Sequence, residues 1–138
     1  MTDTSRLDRE FLKSALTLAS SSDVDHLLVI ADTVISPADL RGRKCRKKLV
    51  YAVTSEGAAA ELIAKKERAI VIPAYDYSRT GRGKMAVVSA LAQGLFKEGD
   101  AVLCLTGRIG RMIDTMMTMR IGGSLDDRVA IEGVKLGD

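Results

Sequence analysis

One stretch limits what this chain can fold into more than any other: Lys48 to Lys66, KLVYAVTSEGAAAELIAKK, changes its apolar pattern at a single glycine. Leu49 to Val53 is a short, uninterrupted apolar run, the composition of a strand buried on both faces of a parallel sheet. Thr54, Ser55 and Glu56 end that run. From Gly57 the spacing becomes helical, with Ala60, Ile63 and Ala64 expected on the buried face and Glu61, Lys65 and Lys66 on the solvated one. A strand followed at once by a helix is half of a βαβ unit. Such a helix points unpaired N–H groups and the positive end of its dipole at the strand's carboxyl edge, where an anion can sit.

The neighbouring segments repeat the pattern. Residues 5 to 20 carry Leu7, Phe11, Ala15, Leu18 and Ala19 along one helical stripe, and His26 to Ala31 is a second apolar strand with Asp32 at its carboxyl end. Ser36 and Pro37 suit the cap and first position of a short helical turn. Ala69 to Pro73 is a third strand. A helix from about Gly83 to Phe96 follows, its inner face assigned to Val87, Val88, Leu91, Leu95 and Met85. Ala101 to Leu105 is a fourth strand. Alternation of strand and helix predicts a parallel sheet covered on both faces, a three-layer α/β sandwich. Asp114 to Ile121 has strand character but no room for a further crossover helix, which predicts an antiparallel edge strand. Asp127 to Leu136 can add one more short strand.

With 138 residues, one domain is expected, whether or not more chain follows Asp138. No apolar run approaches the roughly 20 residues of a membrane span, and the polar start Met1 to Glu10 is not a signal peptide, so a cytoplasmic location and no membrane partner are expected. Cys45 and Cys104 are read as free thiols. His26 has no second His or Cys at ligand spacing, so no metal site and no cofactor are expected.

Gly81-Arg82-Gly83-Lys84-Met85-Ala86 formally fits the dinucleotide pattern G-x-G-x-x-A, but Ala74 to Thr80 separate it from its strand. It fails as a phosphate-binding P-loop, because Ser78 stands in the place of the first Gly and Met85 in that of the Ser or Thr. What survives is charge at a helix start. Ser78, Arg79, Thr80, Arg82 and Lys84 bring two hydroxyls and three cations to one loop, a combination suited to phosphate; Arg108 and Arg111 in the TGRIGR loop join them at the same sheet edge if the fold is as expected.

Arg41 to Lys48, RGRKCRKK, holds six basic residues in a chain of net charge +3. Nucleic acid is a conceivable partner, but aromatic residues are only 4% and no recognised module accompanies the run, so a solvated loop is the stronger reading. Met112, Met116, Met117 and Met119 suit an adaptable contact, and a homodimer or other homo-oligomer is expected through them. Asp32, Glu56 and Asp76 could share the carboxyl edge, which keeps open a small enzyme acting on a phosphorylated substrate through Asp32 or Asp76.

Three tracts together resemble a known family. VTSEGAAAELIAKKERAIVI (Val53 to Ile72), EGDAVLCLTG (Glu98 to Gly107) and TMRIG (Thr118 to Gly122) are similar in content and order to the C-terminal α/β domain of pyruvate kinase, over about half of the chain. In that domain the strand-to-helix turn binds phosphates of a sugar bisphosphate effector in many members. The resemblance implies that Thr54, Ser55 and Gly57 form this turn, although Ala58 and Ala59 stand where the family has polar residues. The catalytic barrel of pyruvate kinase is absent. With the extra helix and strand of Ser5 to Asp32, the chain looks more narrowly like the N-terminal domain of archaeal-type diadenylate cyclases. Neither the Asp-Gly-Ala nor the Arg-His-Arg motif of that cyclase occurs here, which implies an accessory domain or a stand-alone relative. The combined expectation is a regulatory module for a phosphorylated small molecule or nucleotide, bound by Thr54, Ser55, Gly57, Ser78, Arg79, Thr80, Arg82, Lys84 and Arg108.

Overall fold

A computed structural model describes residues 3–30, 44–73, 78–107 and 113–122. In chain order these form α1 (Asp3–Ala19), β1 (His26–Ile30), a 3-10 turn (Lys44–Lys48), β2 (Leu49–Val53), α2 (Glu56–Ala64), β3 (Ala69–Val71), α3 (Arg79–Ala92), β4 (Ala101–Thr106) and β5 (Thr115–Arg120). The strands make one sheet in the order β3-β2-β1-β4-β5. The first four are parallel, with Val29 opposite Tyr51 on one side and opposite Leu105 on the other. β5 runs antiparallel to β4, pairing Cys104 with Met117. The expected mixed sheet and antiparallel edge are therefore what the chain forms. Ala31, Asp32, the Ser36–Pro37 cap and the expected strand Asp127 to Leu136 lie outside the described residues.

Side chains alternate between the faces of a strand, so each strand feeds two cores. On one face Leu27, Val29, Leu49, Tyr51, Val53, Leu103 and Leu105 pack against Ala15, Leu16 and Ala19 of α1 and Ala59 and Leu62 of α2. On the other, Leu28, Ile30, Val50, Ala52, Ile70, Val102 and Cys104 pack against Ala86, Val87 and Ala90 of α3. Two buried faces explain why the central strands lack any polar alternation.

Four expectations about packing need correction. In α1, Leu18 of the expected stripe is exposed and Leu16 is buried instead. In α2 the inner face is Ala59 and Leu62, with Ala58 half-buried, whereas Ala60 and Ala64 are exposed and Ile63 is 57% exposed. Apolar residues run almost all round EGAAAELIA, so periodicity could not select the face and docking on β2 and β3 does so. In α3, Val88 is exposed and Ala86 and Ala90 take the place assigned to larger residues. The helix also begins four residues earlier than expected, which puts Gly81 and Gly83 inside it rather than in a loop. Met117 and Met119 are core residues under α3, with Met116 half-buried on the opposite face. An exposed contact through all of them is thereby removed; Met112 lies outside the described residues.

Candidate functional site

Both crossover helices start at the carboxyl edge of the parallel strands, and each is capped by a serine. Ser55 is extended, and its Oγ accepts the Ala58 N–H at 3.1 Å, which closes the first turn of α2. Ser78 does the same for α3, accepting the Gly81 N–H at 3.0 Å. Short hydroxyl side chains at this position satisfy N–H groups that the helix cannot. Thr54 is half-buried at the end of β2, and Gly57 is exposed in the first turn, with nothing within 4 Å of where a Cβ would stand. Beside that turn an open cleft of about 790 Å³ runs along β3, lined by Thr54, Glu56, Ala60, Ile63 and Pro73 among others.

The α3 end has a different character. Arg79 and Thr80 form the first turn with Gly81 and Arg82, and Lys84 is exposed one turn along. Arg82 is not the free surface cation that its place in a polar tract suggests. It is 5% exposed, and its Nη1 donates to the Gly107 carbonyl at 2.7 Å, tying the helix start to the carboxyl end of β4. Its charge also reaches Cys104, whose thiol burial pushes up to about 12 while Arg82 pulls the other way. Arg108 follows Gly107 in the chain but, with Arg111 and Asp76, lies outside the described residues.

The candidate residues thus form two groups at one edge rather than one cluster. Thr54, Ser55 and Gly57 belong to the face covered by α1 and α2; Ser78, Arg79, Thr80, Arg82 and Lys84 belong to the α3 face. The charge at the two helix starts differs. α2 carries the acidic Glu56 in its first turn, whereas α3 carries no acid there.

Sequence reading passed over Thr106. This last residue of β4 is fully buried, and its Oγ1 has no hydrogen-bond partner. A hydroxyl ending an otherwise apolar strand, directly before a glycine, was the available signal.

The other candidates are otherwise engaged. Lys48 Nζ donates to the carbonyls of Ala19 at 3.1 Å and Ser21 at 2.8 Å, and Arg68 Nη2 donates to the Lys47 carbonyl at 2.7 Å. Arg46 stands 3.9 Å from Glu67. Within the described part of the basic run, Lys48 is committed to the end of α1 and Arg46 stands beside Glu67, while the Lys47 side chain is exposed. His26 sits at the amino edge, far from both helix starts along its strand, with Nε2 2.7 Å from Asp100 Oδ2 and its ring stacked on Phe96. Among the described residues no group of His, Cys, Asp and Glu could hold a metal ion, and no helix is long and apolar enough to cross a membrane.

A family model described as "Probable sensor domain DacZ_P" matches residues 7–126. The match agrees with the narrower resemblance, to the diadenylate-cyclase accessory domain, and gives no support to kinship with pyruvate kinase. No curated protein matches the chain.

Proposed function

Because the chain belongs to the DacZ_P family of sensor domains, we propose that it is a non-catalytic regulatory domain that binds a phosphorylated small molecule or nucleotide at the carboxyl edge of its sheet. Its natural setting is the cytoplasm, beside the catalytic domain of a diadenylate cyclase, whose output its occupancy would adjust. The observation that carries this reading is the arrival of two serine-capped helix starts at one edge of a parallel sheet, the place where open α/β sheets take their ligands. One of those starts brings the cations Arg79, Arg82 and Lys84 with no acid in its first turn. The family's description as a sensor favours binding over turnover.

A thermal-shift titration at low salt with phosphate, sulfate, sugar bisphosphates, ATP and cyclic dinucleotides tests the proposal. A ligand that binds only the folded state stabilises it by about 2.7 kcal/mol at a hundredfold excess over its Kd. One phosphorylated compound should raise Tm well above the others. A flat response across the whole panel overturns the sensor-of-phosphate reading.

A further inference from the structure

The sheet order contains one point where the chain reverses direction. From β1 it moves outward to β2 and β3, then returns across the sheet to β4 on the other side of β1. Ligands of open α/β folds bind in the crevice outside the carboxyl ends of the strands flanking such a reversal. Here those strands are β1 and β4, and the first turn of α3 is fixed above them by the bond from Arg82 to Gly107.

Two buried groups at that point stand out among the described residues. Arg82 carries a full charge at 5% exposure, and among the described residues no carboxylate pairs with it; one of its N–H groups is committed to Gly107. A buried cation without a counter-ion is among the costlier arrangements a fold can hold. Thr106 shares its strand face with Val102 and Cys104 by alternation, and so points to the α3 side. Its hydroxyl is buried and unpartnered, which buried polar groups seldom are. The first turn of α3, tied to this edge by Arg82, has its Ser78 hydroxyl serving Gly81 and its Ser78 carbonyl serving Arg82, and the earliest N–H groups of a helix have no partner within it. Each of these groups is of a kind that an anion satisfies.

Resting on the sensor reading, we infer that the phosphoryl group is held at the β1–β4 reversal by Arg82, Thr106 and the α3 N-terminus, and not at the α2 turn that the pyruvate kinase resemblance singles out. At α2 the Ser55 hydroxyl is occupied by the cap, and Glu56 repels an anion. A guanidinium, a hydroxyl and helix N–H groups at one strand end suit the tetrahedral oxygens of a phosphate monoester.

The test is phosphate binding by the 138-residue chain, followed as Tm against inorganic phosphate at constant ionic strength, with chloride as reference. Thr106→Val is isosteric and removes an unsatisfied hydroxyl, so it should raise Tm without phosphate while weakening phosphate binding about tenfold. Arg82→Met should weaken it further, and Ser55→Ala should leave it within about twofold. A merely structural Thr106 would change the first quantity and not the second. If wild-type protein responds to phosphate and Thr106→Val responds equally, the location is wrong although the sensor reading stands. If wild-type protein ignores phosphate while another compound of the panel stabilises it, the location is again overturned. If nothing in the panel stabilises it, the sensor-of-phosphate reading falls as well.

Discussion

A Cβ added at Gly83 would stand 2.9 Å from Met117 Cε and 3.4 Å from Cys104 Sγ, so a side chain there needs the buried end of Met117 to shift. The sequence offered this glycine as part of a dinucleotide pattern; its place inside α3 shows that it serves helix-to-strand contact. Gly83→Val should destabilise the fold by about 2–3 kcal/mol through overpacking. Gly57→Ala, with nothing near it, should be neutral or stabilise by about 0.5 kcal/mol. Urea unfolding of both variants measures the contrast. Cys104, buried against the same contact, makes the pH dependence at the alkaline end. Its thiol is raised from 9.0 to about 12 in the folded chain, so the native state keeps a proton that the unfolded chain releases. Stability is therefore intact below pH 9 and declines as pH rises towards 12, by at most about 1.4 kcal/mol per pH unit from this group. Unfolding midpoints between pH 8 and about 10.5 should fall less steeply in Cys104→Ala than in wild-type protein. Neither neighbour of Gly83 could be named from sequence, because Met117 and Cys104 meet it only through the pairing of β4 with β5.

At the scale of elements, legibility followed the strength of local pattern. β2 was read to the residue, since an apolar run bounded by Lys48 and Thr54 admits one strand. The inner face of α2 was not, because apolar residues lie on nearly every side of that helix. The basic run was readable as charge but not as structure. Its last residue, Lys48, completes the C-terminal end of α1 across 27 to 29 residues of sequence, where the cation meets both the carbonyls and the negative end of the helix dipole. Lys48→Met should cost about 1–2 kcal/mol. Amide exchange should locate that loss in α1 before the sheet. Uniform loss of protection across all elements would show that Lys48 does not act through α1.

For the whole molecule, the alternation of strands and helices announced the layers, and the lack of room after β4 announced the antiparallel edge. The strand order was beyond reach, since a buried apolar strand looks the same at the second or third position of a sheet. That order decides where the candidate site falls: it makes neighbours of β1 and β4, and so places Thr106 beneath α3. Residues of the candidate site were legible in proportion to their polarity in sequence. Arg82 stood out and Thr106 did not, yet burial, which no local pattern reveals, gives both their interest.

The central place of β1 also has a consequence in time. Leu27 pairs with Leu49, 22 residues later, but His26 pairs with Val102, 76 residues later. At ribosomal rates of about 5–20 residues per second, one flank of the apolar strand HLLVI waits roughly 3–10 s longer for its partner than the other. While it waits, the nascent chain presents an open, uncharged strand edge, the kind of surface on which chains join one another. Newly made protein is thus at greatest hazard of self-association during the synthesis of α2, β3 and α3, and the fold is sealed only when β4 leaves the ribosome.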